Sequence, residues 1–292
     1  MIFAWLVCLV GLLPADRALP ISAHNCYSGA SDSRLKEALA LGIDNIEIDL
    51  GWDEAGKRLI VGHDAVPQPG STYPTFESYI QPLLDLKARS DGAPHLLTID
   101  WKTSRPEAVA QFKSFLEAHP NLFSTAPKSP VSSLTTRRLT VCFTGSDQAK
   151  DLYDALIPQG GTYRGFRDTV HGAGDYRDDP VDYSKERATA YRRFLTFHWG
   201  VIEKGGPPRS GTWTPEEAAR LAKLVESAHR NGYRIRFYCL NVGGSLLTLP
   251  YRFPDANSAR IRWRAAAKAG VDWVASDNYA EITDDLRKHA DN

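Results

Sequence analysis

Two short apolar stretches of this 292-residue chain carry charged residues at alternating positions. Glu47 and Asp49 lie within Asn45-Ile46-Glu47-Ile48-Asp49-Leu50, and Asp100 with Lys102 within Thr98-Ile99-Asp100-Trp101-Lys102. Side chains of an extended strand alternate between its faces, so each charged pair falls on one side and the isoleucines on the other. Carboxylates at i and i+2 of an apolar strand are costly to bury. Three hard oxygen ligands repel one another unless a divalent cation lies between them, and Mg²⁺ or Ca²⁺ fits that space. His24, in Ala23-His24-Asn25, and His63, in Gly62-His63-Asp64, are not needed as ligands by so hard an ion. They are free to serve as general acid and base on opposite sides of a reacting centre. With Lys102 as a further cation, the set suits a phosphodiester: charge neutralised on the non-bridging oxygens, one group to deprotonate the nucleophile and one to protonate the leaving oxygen.

Other residues have two readings each. Asn25 is placed to orient substrate or to cap a turn, and Asp277 to hydrogen-bond an imidazole such as His24 or to cap the last helix. Tyr238, Asn241, His198 and Trp199 stand near strand ends, where they line a pocket or simply pack. His95, His119, His171, His229 and His289 fall at helix ends or in loops and are given no role.

These residues need a scaffold that brings strand ends together. From Leu19 to Asp291 the chain alternates short β-branched runs with longer stretches of helical period, as in a parallel α/β sheet. Strands are expected at Pro20 to His24, Asn45 to Leu50, Leu96 to Trp101, Leu139 to Thr144, Tyr163 to Phe166, Phe194 to Phe197, Tyr233 to Leu240 and Val271 to Ser276. Helices are expected at Ser33 to Leu41, Phe76 to Lys87, Pro106 to His119, Gln148 to Ile157, Pro215 to Asn231, Ser258 to Ala269 and Ala280 to His289. Leu59 to Gly62 reads as a hairpin return that would carry His63 toward the acids. Residues Gly160 to Tyr191, rich in Gly, Asp-Pro and scattered aromatics, read as a long loop around an ill-defined fifth strand. Eight such units without a linker favour a single-domain (β/α)₈ TIM barrel over an open doubly wound sheet. In such a barrel the chemistry lies at the C-terminal strand ends.

Composition narrows the partners. With 35 Lys plus Arg against 35 Asp plus Glu, the chain has no global field to attract polyphosphate, and nucleic acid is not expected as a partner. Ile2 to Leu13 is an apolar run of signal-peptide length, so residues 1–18 are expected to be an export leader, with a membrane anchor as the alternative, and 19–292 the catalytic barrel. The sequence does not fix the oligomeric state. Without Cys8 in the leader, Cys26, Cys142 and Cys239 form an odd set, compatible with one bridge or with buried thiols.

In order and spacing, His24-Asn25, Glu47-x-Asp49, Gly62-His63-Asp64 and Asp100-x-Lys102 resemble the PLC-like phosphodiesterase superfamily, which joins glycerophosphodiester phosphodiesterases, bacterial phosphatidylinositol-specific phospholipases C and sphingomyelinases D on a TIM barrel. Val271 to Asp277 resembles its last strand, and the segment from Asn25 to Leu86 is most similar to the subgroup called altered inheritance of mitochondria protein 6. The resemblance implies His24 and His63 as the acid/base pair, Glu47, Asp49 and Asp100 as Mg²⁺ or Ca²⁺ ligands, and Lys102 as a phosphate contact. It also implies attack by a neighbouring substrate hydroxyl that gives a cyclic phosphate. The sequence departs from the glycerophosphodiesterase His-Arg-Gly pattern at Asn25-Cys26, and its third acid is Asp100 rather than Glu, as in sphingomyelinases D. The expected function is a metal-dependent phosphoric diester hydrolase acting on a small or lipid phosphodiester, with transient contact at a membrane surface. A glycoside hydrolase using the strand-end carboxylates and a non-catalytic binding barrel are the alternatives.

Overall fold

The computed structural model describes residues 19–290 except 28–30, 130–132, 172–175, 177 and 244–250. The expected leader, residues 1–18, lies outside the described residues. Eight parallel strands close a ring in chain order: Ile21–Ala23, Asn45–Asp53, His95–Trp101, Leu139–Gly145, Phe166–His171, Arg192–His198, Arg234–Tyr238 and Trp273–Ser276. The first strand pairs with both the second and the eighth, which shuts the barrel. Helices Ser33–Ala40, Pro106–Ala118, Asp147–Leu156, Pro215–Arg230, Ala256–Lys268 and Tyr279–Lys288 surround it.

Period-two alternation sorts the side chains. Ile46, Ile48 and Leu50 of the second strand are fully buried beneath the helices. The same outer layer holds Trp101, Phe112 and Phe143, with ring centroids 5.3 Å apart for Trp101–Phe112 and 5.7 Å for Phe112–Phe143. Aromatic pairs at such spacing favour edge-to-face packing. The opposite, inward face is polar, including Ser22, Asn45, Glu47, Thr98, Thr196 and Arg236 among its buried residues. Thr98 donates to Asn45 Oδ1 at 2.8 Å, a bond between two of these polar groups inside the ring, while Asn45 Nδ2 is buried without a partner among the described residues.

Helix starts follow local chemistry. Thr214 accepts from Glu217 N while Glu217 returns a bond to Thr214 N, a complete capping box ahead of Pro215. The expected Phe76 to Lys87 helix is instead two short turns, Phe76–Tyr79 and Gln81–Leu84, because Pro82 has no N–H to continue the ladder. The seventh strand stops at Tyr238 rather than Leu240, since Cys239 turns into the left-handed region at φ +67°.

The fifth strand also departs from expectation, running Phe166–His171 rather than Tyr163 to Phe166. Tyr163 belongs to a two-residue bridge, Thr162–Tyr163, antiparallel to Ala126–Pro127. The cause is Asp168, which points into the barrel and breaks the apolar pattern. Its fully buried carboxylate meets the equally buried Lys150 Nζ at 3.1 Å and is flanked by the hydroxyls of Thr144 and Thr196. Cys26, Cys142 and Cys239 are all buried, free thiols, and burial pushes the Cys26 thiol up to about 12.

A second buried ion pair anchors the loop beyond the sixth strand. Arg262 Nε lies 3.1 Å from Glu203 Oε2, which also accepts from Trp199 Nε1 at 2.9 Å, and Arg262 reaches Gly211 O at 2.8 Å. Trp199, a candidate pocket residue from the sequence, is thereby a fully buried packing group. Breaking this pair with Arg262→Met should cost about 3–5 kcal/mol, because Glu203 would be left charged and unpaired. The exposed Lys288→Ala, which removes the solvent-facing pair with Asp284, should stay within about 0.5 kcal/mol in the same urea titration.

Candidate active site

Glu47 and Asp49, two residues apart on the second strand, both face inward from alternation, and both are buried. Register pairs Asp49 with Asp100 on the third strand, so the two aspartates stand side by side at the mouth. One oxygen from each of Glu47, Asp49 and Asp100 lies within 4.8 Å of the others. Burial, with the negative charge of Asp100 beside it, pushes the Asp49 carboxyl above the usual carboxylate range, and Lys102 offsets this only in part.

Lys102, two residues beyond Asp100, places Nζ 2.8 Å from Asp100 Oδ2 and 3.1 Å from Asp49 Oδ2. Burial alone would lower its pKa, but the two aspartates outweigh burial and hold the ammonium above its ordinary value. Arg236, inward-facing on the seventh strand, contacts Glu47 Oε2 and donates to Ser22 Oγ at 3.2 Å. Among the described residues, three carboxylates face two fixed cations here, which leaves one negative charge uncompensated. A divalent ion would convert that balance to one positive, matched by the single negative charge of a phosphodiester. The donor set therefore fits Mg²⁺ or Ca²⁺, both of which take oxygen ligands.

His24 leaves the first strand with its N–H on Ser276 O at 3.2 Å. Its Nδ1 lies 2.7 Å from Asp277 Oδ1, at the end of the eighth strand. Asp277 is held from four sides. Asn25 Nδ2 donates to Oδ1 at 3.0 Å, Asn241 Nδ2 to Oδ2 at 2.9 Å, and Arg252 reaches Oδ2 at 3.4 Å. Burial would raise the Asp277 pKa, but the hydrogen bond and charge of His24, with Asn25 and Arg252, hold it below the usual carboxylate range. An ionised Asp277 only accepts, so His24 Nδ1 carries the proton and Nε2 is the ring nitrogen left outside this bond.

Asn25 adopts φ +49°, a conformation that asparagine tolerates better than most residues, and so turns its amide onto Asp277. Tyr27, absent from the sequence expectations, joins the two halves. Its hydroxyl faces Asn25 Oδ1 at 2.9 Å and Asp49 Oδ2 at 3.2 Å. Burial and the nearby Asp49 charge keep this phenol protonated as the donor.

The expected hairpin return is present: Arg58–Val61 pairs antiparallel with the second strand, Val61 opposite Leu50. Gly62 N–H donates to Asp49 O at 3.1 Å, which ties the backbone just before His63 to the second strand, and the His63 side chain is exposed. Tyr238 pairs in register with His198 and presents its ring edge-on to that imidazole, centroids 5.5 Å apart, across the mouth from the acids. Gly200 N donates to His198 Nδ1 at 2.9 Å, and burial keeps this ring neutral.

Arg236 was missed although its signal is visible, a basic residue two positions from Tyr238 inside Arg234-Ile235-Arg236-Phe237-Tyr238. Tyr27 carried no such signal, because only the turn at Asn25 brings it back over Asp49. Gly145 was also missed. A Cβ there would lie 2.1 Å from Asp100 Oδ1 and 2.6 Å from Trp101 O, at φ +75°.

No family model and no curated protein sequence matches the chain. Its fold is similar to that of a Silicibacter pomeroyi DSS-3 protein assigned as a glycerophosphoryl diester phosphodiesterase, with 12% identity, 94% of each chain covered and a TM-score of 0.57. A glycerophosphoryl diester phosphodiesterase from Parabacteroides distasonis ATCC 8503 shares 15% identity over 95% of this chain and 89% of its own, with a TM-score of 0.50. At such identities the likeness establishes a shared TIM-barrel fold.

Gly145→Ala should cost at least about 1 kcal/mol in denaturant unfolding, since it combines a left-handed backbone with a steric clash. Gly211→Ala, where an added Cβ meets nothing within 4 Å, should stay within about 0.5 kcal/mol.

Proposed function

We propose that this chain, built on the barrel fold of glycerophosphoryl diester phosphodiesterases, is a metal-dependent phosphoric diester hydrolase acting on a glycerol- or lipid-type phosphodiester. The observation that carries the reading is the meeting, at one barrel mouth, of the Glu47–Asp49–Asp100 cluster with Lys102 and the Asp277-held His24.

Glu47, Asp49 and Asp100 would hold the divalent cation, which supplies charge neutralisation at the non-bridging phosphate oxygens. Lys102 adds a second positive group to the same oxygens while keeping Asp100 and Asp49 in place. His24, fixed through Nδ1, exchanges its proton at Nε2, and the exposed His63 serves as its counterpart. One imidazole takes the proton of the attacking hydroxyl as its oxygen bonds to phosphorus, and the other protonates the leaving oxygen as that bond breaks. When the attacker is a neighbouring hydroxyl of the substrate, the product is a cyclic phosphate. A glycosidase needs one carboxyl poised as an acid. Asp49, raised by burial, comes nearest, but its Oδ2 is held by Lys102 and Tyr27, while Asp100 is committed to Lys102 and Glu47 to Arg236, which favours phosphate chemistry.

The test incubates the protein with glycerophosphocholine, lysophosphatidylcholine, sphingomyelin and an aryl glucoside, with EDTA or with added Mg²⁺ or Ca²⁺. Cleavage of a phosphodiester that EDTA abolishes, divalent ion restores and His24→Ala lowers about 10²- to 10⁴-fold is expected. Hydrolysis of the glucoside alone would contradict the proposal, and so would silence on every substrate.

A further inference from the structure

Each of the three clustered carboxylates has one oxygen engaged by a protein donor. Glu47 Oε2 is taken by Arg236. Asp49 Oδ2 accepts from Lys102 at 3.1 Å and from Tyr27 at 3.2 Å, and Asp100 Oδ2 from Lys102 at 2.8 Å. Among the described residues, Glu47 Oε1, Asp49 Oδ1 and Asp100 Oδ1 have no such donor. We infer that this arrangement makes the cluster a single-oxygen, three-point site selective for Mg²⁺ over Ca²⁺, with Arg236 and Lys102 as the residues that decide the choice. The inference rests on the metal-dependent reading above.

Its basis is coordination chemistry. Ca²⁺ is satisfied by six to eight oxygens at long, adaptable distances and gains from carboxylates that bind through both oxygens, whereas Mg²⁺ demands about six at near-octahedral angles and keeps several solvent ligands. To use both oxygens of Glu47, an ion would have to approach the guanidinium of Arg236. To use both oxygens of Asp49 or Asp100, it would have to approach the ammonium of Lys102. Either approach places like charges together in a buried site, where Coulomb energies are large. The donor-free oxygens are the ones no described protein cation guards, with Asp100 Oδ1 also lying against Gly145. Three such contacts suit the small octahedral ion and leave the remaining positions to solvent and substrate, but they under-coordinate Ca²⁺.

Arg236 is well placed to enforce this. It is almost fully buried, is held by Ser22 of the first strand, and comes from the side of the barrel opposite the third strand. A planar guanidinium so constrained holds Glu47 more rigidly than an exposed lysine could.

Isothermal titration of the full chain with MgCl₂ and with CaCl₂ tests this without any substrate. Both ions carry the same charge, so deleting a neighbouring cation shifts both affinities alike through charge, and only a change in available oxygens alters their ratio. The wild type should bind Mg²⁺ at least about tenfold more tightly than Ca²⁺, and Arg236→Met should bring that ratio toward parity. Should Arg236→Met fail to fold by circular dichroism, Lys102→Met, at a partly exposed position, frees Asp100 Oδ2 and leaves Asp49 Oδ2 with the neutral Tyr27 hydroxyl alone, and should reduce the ratio in the same direction. Equal or tighter Ca²⁺ binding by the wild type, or an unchanged ratio in the folded variant, overturns the inference and leaves the metal-dependent reading standing. Absence of binding by either ion overturns both.

Discussion

Ionised carboxylates in a protein interior must be matched by positive charge, and the mouth of this barrel is organised around that requirement. Among the described residues, Glu47, Asp49 and Asp100 share a small volume with only Lys102 and Arg236 as permanent cations. Burial already disfavours ionisation of Asp49. The cluster is costly as a purely structural element, since apolar side chains would fill the same space without this penalty. A divalent ion followed by an anionic substrate would bring its charge to balance.

The barrel supplies this cluster through simple geometry. Alternation on the second strand sends Ile46, Ile48 and Leu50 outward and Glu47 and Asp49 inward, and parallel register sets Asp49 beside Asp100. Ring closure between the first and eighth strands brings His24 and Asp277 within hydrogen-bond distance, although 253 positions separate them in the chain. The apolar core lies between strands and helices, while the inner face carries many polar groups, several of them bonded to one another. A TIM barrel supports many chemistries, so the fold alone does not define the reaction, and the functional argument rests on the mouth residues.

How much of this could be read before the structure depended on whether a signal was local. The acid pairs, the hairpin before His63 and the capped Pro215–Arg230 helix are written in contiguous residues, and their positions follow from alternation and capping. The fifth strand was obscured because its interior position is Asp168, whose partner Lys150 lies on the preceding helix. The Phe76 to Lys87 segment shows helical periodicity but is divided at Pro82, a case where the backbone donor overrides side-chain pattern. Tyr27 could not be identified because its contact with Asp49 depends on the left-handed turn at Asn25. Arg236 was visible as a charge inside a strand, but its partner Glu47 lies across the barrel, and sequence order carries no record of that approach.

The most direct test of the central claim is anomalous scattering from crystals soaked in Mn²⁺, a stand-in for Mg²⁺ with a measurable signal. The account predicts one strong peak about 2.2 Å from an oxygen of each of Glu47, Asp49 and Asp100, on the side facing His24. No peak at the mouth, or a peak bound to other residues, would contradict it.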